Sequence, residues 1–394
     1  MFLSYIDRSN LAVAASDLSY ELGLDPRQLG RLSSAFFWSY AVSLWFAGWF
    51  MARFEVHRLF AFAFLAWTLA TAFTGMAHGF VIIFALRLVL GMGESLAYPS
   101  CNQIIARDFP EHKRGFANSV IDACTKLGPA VGTLTGGLIV AHWGWRALFF
   151  LLGFGGLLWL PFWFGARPKS PDPQTPHASE APVAAPSMLE ILRVRSAWGS
   201  FLGLFCLNYI WYFLLTWLPY YLVRERHFST QRMALLGSLP YLAIAASSMA
   251  SGRISDRWIE RGGSPTRVRK TFMVAGLLLA TLIVPAAAVD NDDIFMGVLI
   301  FACVAFGLAT SNLWTITQTC AGPPAAAKWT GMQNSLGNLA GITAPWLTGE
   351  VVSATGSFYL AFVAAGLISA LGAVSFGLIV GKVETVKWAK ATPP

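Results

Sequence analysis

Apolar runs of about twenty residues, separated by short polar intervals, repeat along this chain from end to end. In order they cover roughly 1–16, 33–52, 58–77, 79–106, 115–140, 146–166, 197–222, 233–252, 269–289, 294–318, 329–352 and 357–381. Stretches such as "LFFLLGFGGLLWLPFWFGA" and "VLIFACVAFGLATSNLW" reach the length at which an α-helix crosses the hydrocarbon core of a bilayer, about 20 residues. The pattern predicts an all-α polytopic membrane protein of twelve transmembrane helices.

Composition agrees. Of 394 residues, 56% are hydrophobic and 12% charged, against about 25% charged in ordinary soluble domains. The net charge of +8 could suggest nucleic acid, but its placement argues for a membrane instead. Nineteen of the 28 Lys and Arg fall in alternate loops and the tail, whereas six (Arg27, Arg31, Arg146, Arg224, Arg226 and Arg232) fall on the opposite face. By the positive-inside bias both termini are expected in the cytoplasm. The five cysteines sit in or near spans at spacings that match no metal or redox motif, so they read as small packing residues. The first span lacks the basic start and unbroken apolar core of a cleavable signal peptide.

Between the sixth and seventh spans lies "RPKSPDPQTPHASEAPVAAPS", residues 167–187, with six of the chain's 20 prolines. It is expected to be an extended linker. "MLEILRVRSAW" after it alternates apolar and basic residues and suits a short helix at the membrane surface. The expected organisation is a six-helix bundle over 1–166, a linker with interfacial helix over 167–196, a second six-helix bundle over 197–381 and a tail over 382–394. The halves echo each other. Gly115-Phe-Ala-Asn118-Ser119 recurs as Gly331-Met-Gln-Asn334-Ser335, with a proline fourteen residues after each glycine, at Pro129 and Pro345. After the second and eighth spans come Gly48-Trp-Phe-Met-Ala52-Arg53 and Gly252-Arg-Ile-Ser-Asp256-Arg257. Repeated halves of this kind imply alternating access around a site near the midplane.

The loop glycine followed by Asp-Arg and further basic residues resembles the signature of the major facilitator superfamily. Within it, "YIDRSNLAVA", "RLVLGMGESLAYPS", "FPEHKRGFANS", "GWRALFF", "WLPYYL", "GMQNSLGNLAGITAPWLTG" and "TGSFYLAF" resemble the anion:cation symporter family of organic-anion permeases. The resemblance implies the major facilitator fold and transport of hexonates, hexuronates, aromatic acids or similar carboxylates. Two departures stand out. The first loop has Ala52 and Glu55 where the pattern favours Asp and Gly, which is expected to weaken that gating loop; its basic residues Arg53 and Arg58 remain, and Asp256-Arg257 is intact. Only four residues precede Tyr5, so the first helix is expected to be truncated, with the reading frame continuing upstream of Met1.

Charges inside a bilayer cost about 2.5–3.5 kcal/mol each at a helix centre and are candidates for function by default. Asp7, Arg8, Arg87, Glu94, Asp122 and Lys126 form that group, all in the first half. Arg87 and Glu94 lie two helical turns apart on one face, about 10 Å along the axis, which suits separate roles: Arg87 grips a carboxylate with its planar fork and Glu94 takes a proton. Asp7 and Arg8 are about 100° apart around a helix, so each must find a partner elsewhere. The resemblance implies that Asp7 is a protonation site and that Arg8 couples it to substrate. Asp122 and Lys126 have the spacing of an intrahelical ion pair. They either neutralise each other or leave Lys126 as a second anion contact.

The resemblance also carries Ser311, Trp314 and Asn334 into the substrate site, with Gln333 beside Asn334 and with Tyr5 and Tyr40 completing it from the first half. Helix packing is the competing role for Asn334, which repeats at Asn118. Trp143 and Trp145 read as an interfacial aromatic belt. The expectation is a proton-coupled symporter of a small organic anion in a bacterial inner membrane, a monomer with no cofactor, metal or nucleic-acid partner. An exchanger or exporter of the same fold, or an anion receptor that no longer transports, are the alternatives. None of the six histidines falls in a ligand pattern and no nucleophile constellation is present, so an enzyme is not expected.

Overall fold

The structure, a computed structural model, describes residues 1–109, 111–165 and 186–388. The proline-rich part of the linker and the last six residues lie outside them. The described residues form helices joined by short turns. Two glycines divide what would otherwise be overlong rods. Gly144 (φ 80°) and Gly322 (φ 64°) each turn the chain through a left-handed conformation that side chains disfavour.

With those breaks the helices number twelve rods of span length: α1 (Phe2–Leu22), α2 (Pro26–Arg53), α3 (Val56–Thr74), α4 (Phe80–Ser95, continued by Ala97–Asp108), α5 (111–143), α6 (145–165), α7 (Arg195–Arg224), α8 (Thr230–Glu260), α9 (Pro265–Ala280, continued by Ile283–Ala287), α10 (292–321), α11 (323–355) and α12 (Tyr359–Val374, ending in a π-helical turn Ser375–Ile379). A short capped helix, Met188–Leu192, precedes α7; its Ser187 hydroxyl and Glu190 carboxylate satisfy each other's backbone N–H groups. It exposes Met188 and Leu189.

The first span differs from its reading in the sequence. Polar residues from Ser16 onward end the apolar run, yet α1 continues to Leu22, 21 residues in all. The helix stops where Gly23 adopts a left-handed cap. At 1.5 Å per residue it is about 30 Å long, enough to span a bilayer core.

The described chain divides into two compact units. One comprises 1–165, Tyr212–Leu242 and Gly341–Phe358; the other comprises 186–211, Ala243–Ala340 and 359–388. In the first unit, helices meet at glycines too closely for any side chain. A Cβ on Gly91 of α4 would fall 2.2 Å from the Phe36 carbonyl oxygen of α2, and one on Gly128 of α5 would fall 2.6 Å from Tyr5 Cβ of α1. Such contacts bring backbones together where lipid gives no hydrophobic drive. The same unit holds the start of α2 against α11: a Cβ on Gly30 would meet the Pro345 oxygen at 2.6 Å, Ser34 donates to the Ile342 carbonyl at 2.9 Å, and Arg27 and Arg31 both pair with Glu350, at 2.8 and 3.3 Å.

Candidate functional site

Three of the six intramembrane charges, Arg8, Arg87 and Glu94, lie close together within the first unit. Arg8 Nε donates to Glu94 Oε2 at 2.8 Å, and Ser4 Oγ donates to the same oxygen at 2.8 Å. The pair is closed off from solvent, with the Glu94 side chain fully buried and that of Arg8 only 5% exposed. Three aromatic rings surround the guanidinium, Tyr5, Phe36 and Tyr40, with centroids 4.7, 4.9 and 5.0 Å from Arg8 Cζ. Each adds cation–π attraction to a charge that has lost its water.

Arg87 shares the Phe36 ring with Arg8, its Cζ 5.2 Å from the ring centroid. It is buried, takes part in none of the ion pairs among the described residues, and its Nε has no hydrogen-bond partner there. A water-sized cavity lies between the two arginines, lined by Leu11, Ala12, Ser33, Phe36 and Phe37 from α1 and α2 and by Leu215 and Thr216 from α7. The site therefore holds one arginine in direct contact with a carboxylate, one arginine with no direct ion pair, and a small space beside both. Its positive lining suits an anionic group, for which the cavity would have to widen; a carboxylate there would complete Arg87 and compete with Glu94 for Arg8.

The pairing differs from the one the spacing suggests. Spacing leaves Glu94 acting alone and Arg8 with a partner elsewhere. Arg8 does find its partner on another helix, and that partner is Glu94, which therefore does not act alone. Asp7 faces away from this cavity. Its Oδ1 accepts from Asn10 Nδ2 at 3.0 Å, and it lines a second small cavity with Leu3, Ile6, Phe64, Thr68, Leu152 and Gly156, between α1, α3 and α6. The 100° step between adjacent helical residues thus sends the acid and the base of "YIDRSN" into different cavities.

Asp122 and Lys126 form the ion pair their spacing allows. A second anion contact at Lys126 would have to displace Asp122. Of the first-loop residues, Glu55 caps α3, its carboxylate accepting from the N–H groups of His57 and Arg58, both at 3.0 Å. Arg53 stacks over Trp49 at 4.5 Å. In the corresponding loop of the second unit, Asp256 approaches Arg269 at 3.9 Å. The aromatic pair after α5 separates into two roles. Trp143 is 69% exposed, as an interfacial belt residue should be. Trp145 is buried and donates to Glu21 at 2.6 Å, while Arg146 pairs with the same carboxylate at 2.8 Å and stacks on the Trp145 ring. Trp145 is thus a tie between α6 and the end of α1.

The candidates from the second half belong to the second unit. Ser311 donates to Ser251 Oγ at 3.1 Å, and Asn312, fully buried, reaches both hydroxyls, at 3.3 and 3.4 Å. Trp314 is half-buried one turn further along α10. Asn334 is half-buried and accepts from Asn338 at 3.3 Å. Gln333 is fully buried, and both ends of its amide are engaged: Nε2 donates to the Ser200 carbonyl at 3.1 Å and Oε1 accepts from Thr317 at 2.9 Å. That geometry ties α7, α10 and α11 together and favours a packing role for Gln333 over contact with a substrate. Ser4, Phe36 and Asn312 do not stand out in the sequence. Ser4 carries the one usable signal, since it lies one turn before Arg8 on the same face.

The profile of the Major Facilitator Superfamily matches residues 1–345. The chain belongs to the Major Facilitator Superfamily. It is 28% identical over 419 residues to the "Probable galactarate/D-glucarate transporter" of Bacillus subtilis (strain 168), covering 98% of this chain and 90% of that one. It is 30% identical over 388 residues to the "Probable sulfoacetate transporter" of Cupriavidus necator (strain H16 among its designations), covering 95% and 90%. Among solved structures, an inward-facing, occupied bacterial homologue of the human lysosomal transporter Spinster superposes with a TM-score of 0.82 at 18% identity, over 96% of this chain and 94% of that one. The chain is a multi-pass membrane transporter of the superfamily, not an enzyme.

Proposed function

We propose that this facilitator is a proton-coupled symporter that carries a small organic anion, such as a sugar acid or other carboxylate, across a bacterial inner membrane. The observation that carries the reading is the buried Arg8–Glu94 pair beside a second buried arginine, Arg87, whose Nε has no hydrogen-bond partner. Two relatives named for transport of dicarboxylic sugar acids and of sulfoacetate support an anionic cargo.

The coupling follows from charge. While Glu94 is ionised it occupies Arg8, and a second carboxylate entering the cavity would meet like charge. A proton on Glu94 removes its hold on Arg8, and the substrate anion then has two guanidinium groups, Arg8 and Arg87, within one aromatic-walled space. The anion and the proton thus favour each other's binding, as linkage requires. Loss of the proton returns Glu94 to Arg8 and expels the anion. Asp7, in its separate cavity, offers a second protonation site, and Tyr5 and Tyr40 fix the Arg8 guanidinium between them. Ser311, Trp314 and Asn334 would contact the substrate from the second half, with the two six-helix halves rocking about the site and both termini cytoplasmic.

The test is uptake into proteoliposomes from a panel of hexonates, hexarates, sulfonates and aromatic acids, with and without an inward proton gradient. At least one acid should accumulate only with the gradient, and Glu94→Gln should abolish accumulation while leaving exchange of the same acid across the membrane. Exchange without gradient-driven accumulation in the unaltered protein would identify an exchanger and contradict the proposal.

A further inference from the structure

The end of α10 and the start of α11 have an unusual set of hydrogen-bond donors. The last carbonyls of an α-helix have no partner within it. At α10 three consecutive carbonyls are taken by the chain's tail. Thr385 Oγ1 donates to the Thr319 carbonyl at 3.0 Å, Val386 N–H to Cys320 at 2.9 Å, and Trp388 Nε1 to Ala321 at 2.9 Å. Thr385 Cγ2 also fills the space beside Gly322, where a Cβ would fall 2.5 Å from it. Just before these residues, Val383 N–H donates to Thr266 Oγ1 at the start of α9, at 2.9 Å. Residues 383–388 have no helical structure of their own. Their order comes from these attachments.

The attachments continue inward. Trp388 meets Trp329 edge to face, centroids 6.2 Å apart at 80°. Trp329 is fully buried and donates to Ser200 Oγ at 2.9 Å, and the Ser200 carbonyl accepts from Gln333. Gln333 accepts in turn from Thr317 on α10. A continuous buried path therefore runs from the tail, through α11 and α7, to the stretch of α10 and α11 that carries Trp314 and Asn334. Whether such a path transmits anything depends on whether the element at its end can move. The Gly322 turn between α10 and α11 is the point at which it could, and Thr385 sits against it.

We infer that residues 383–388 form a strap that holds the α10–α11 turn in place, with Thr385 and Trp388 as positioning residues for the second-half wall of the proposed substrate site. This rests on the transport reading only for its functional consequence. The attachment itself is testable without any substrate, through Cys320, whose thiol lies under the strap and is buried. Cys303, also buried and in the same unit, reports general opening.

The experiment is peptide-resolved labelling of the purified full-length protein with N-ethylmaleimide. The double variant Thr385→Val with Trp388→Phe removes two donors while nearly keeping side-chain volume. It should label Cys320 at least tenfold faster than the unaltered protein, with Cys303 unchanged, and Thr385→Ser should restore protection at that position. Equal labelling of Cys320 in variant and unaltered protein would overturn the strap. Faster labelling of Cys303 and Cys320 alike would assign the tail to general stability and overturn it as well. In transport, with the acid that the uptake panel identifies, the double variant should raise KM several-fold with kcat less affected. An unchanged KM would refute the positioning role while leaving the transport reading intact, whereas absence of uptake in the unaltered protein would count against that reading alone.

Discussion

Replacing Glu94 by glutamine should strand Arg8 in a site it cannot leave. The side chains of this pair are 5% and 0% exposed, and their contacting atoms are 2.8 Å apart. Two unit charges about 4 Å apart attract by about 4 kcal/mol at an effective dielectric of 20, and removing one partner of a buried pair costs about 3–5 kcal/mol. The three surrounding rings offset part of that, by about 2 kcal/mol if desolvation is complete, so a net loss of about 1–3 kcal/mol is expected. Arginine keeps its proton throughout the accessible range, so Arg8 cannot relieve this loss by titrating at either pH 5 or pH 8. Arg8→Met leaves the other partner behind, and a carboxylate can accept a proton. Its loss should therefore shrink as pH falls. The double variant Arg8→Met with Glu94→Leu, which replaces both charges by apolar groups, should recover most of the stability of either single variant. Unfolding midpoints of the purified protein in detergent at the two pH values measure all three. A Glu94→Gln protein as stable as the unaltered one at pH 8 would refute the reasoning, as would an Arg8→Met loss that grows on acidification.

Gly30→Val should push α2 from α11, because even a Cβ there would lie 2.6 Å from the Pro345 oxygen. A lowered unfolding midpoint worth about 1–3 kcal/mol is expected, and an unchanged midpoint would contradict the packing. Glu55→Ala should cost about 1 kcal/mol through loss of the α3 cap, read as faster hydrogen exchange at His57 and Arg58. The Ser187 backbone N–H holds the Glu190 carboxyl below its ordinary value of 4.5. A depressed carboxyl contributes stability above 4.5 that is lost as pH falls through its folded value. The helix Met188–Leu192 should therefore exchange its amides faster in that acid window and in Glu190→Gln at neutral pH.

The twelve spans were legible because lipid imposes one rule on every residue of a helix: be apolar unless something inside the protein compensates. Boundaries were less so. Ser16, Asp17 and Glu21 end the apolar reading of α1, yet the helix ends at Gly23, whose backbone conformation no hydropathy profile records. Within the site, the residues that are expensive in a membrane announced themselves: Arg8 and Arg87 line one cavity, and Glu94 holds Arg8. Their pairing did not, since spacing along α4 says nothing about which residue of another helix reaches Glu94. Gln333 shows the converse. Its place beside Asn334 made it a candidate, but a one-residue step on a helix turns a side chain by 100°, here into the contact with Ser200 and Thr317. The tail was unreadable for a different reason: residues 383–388 follow neither helical nor strand periodicity, and their attachment depends on carbonyls that become available only where α10 ends.

The central claim is that a substrate anion and a proton on Glu94 require each other. The direct measurement is proton exchange on binding: the purified protein in lightly buffered detergent solution, near pH 7, mixed with the acid that the uptake panel identifies, and read with a pH indicator. The account predicts proton uptake from solution, about one per anion bound, with the signal lost in Glu94→Gln although the anion still binds. Binding of the anion with no proton uptake by the unaltered protein would contradict it.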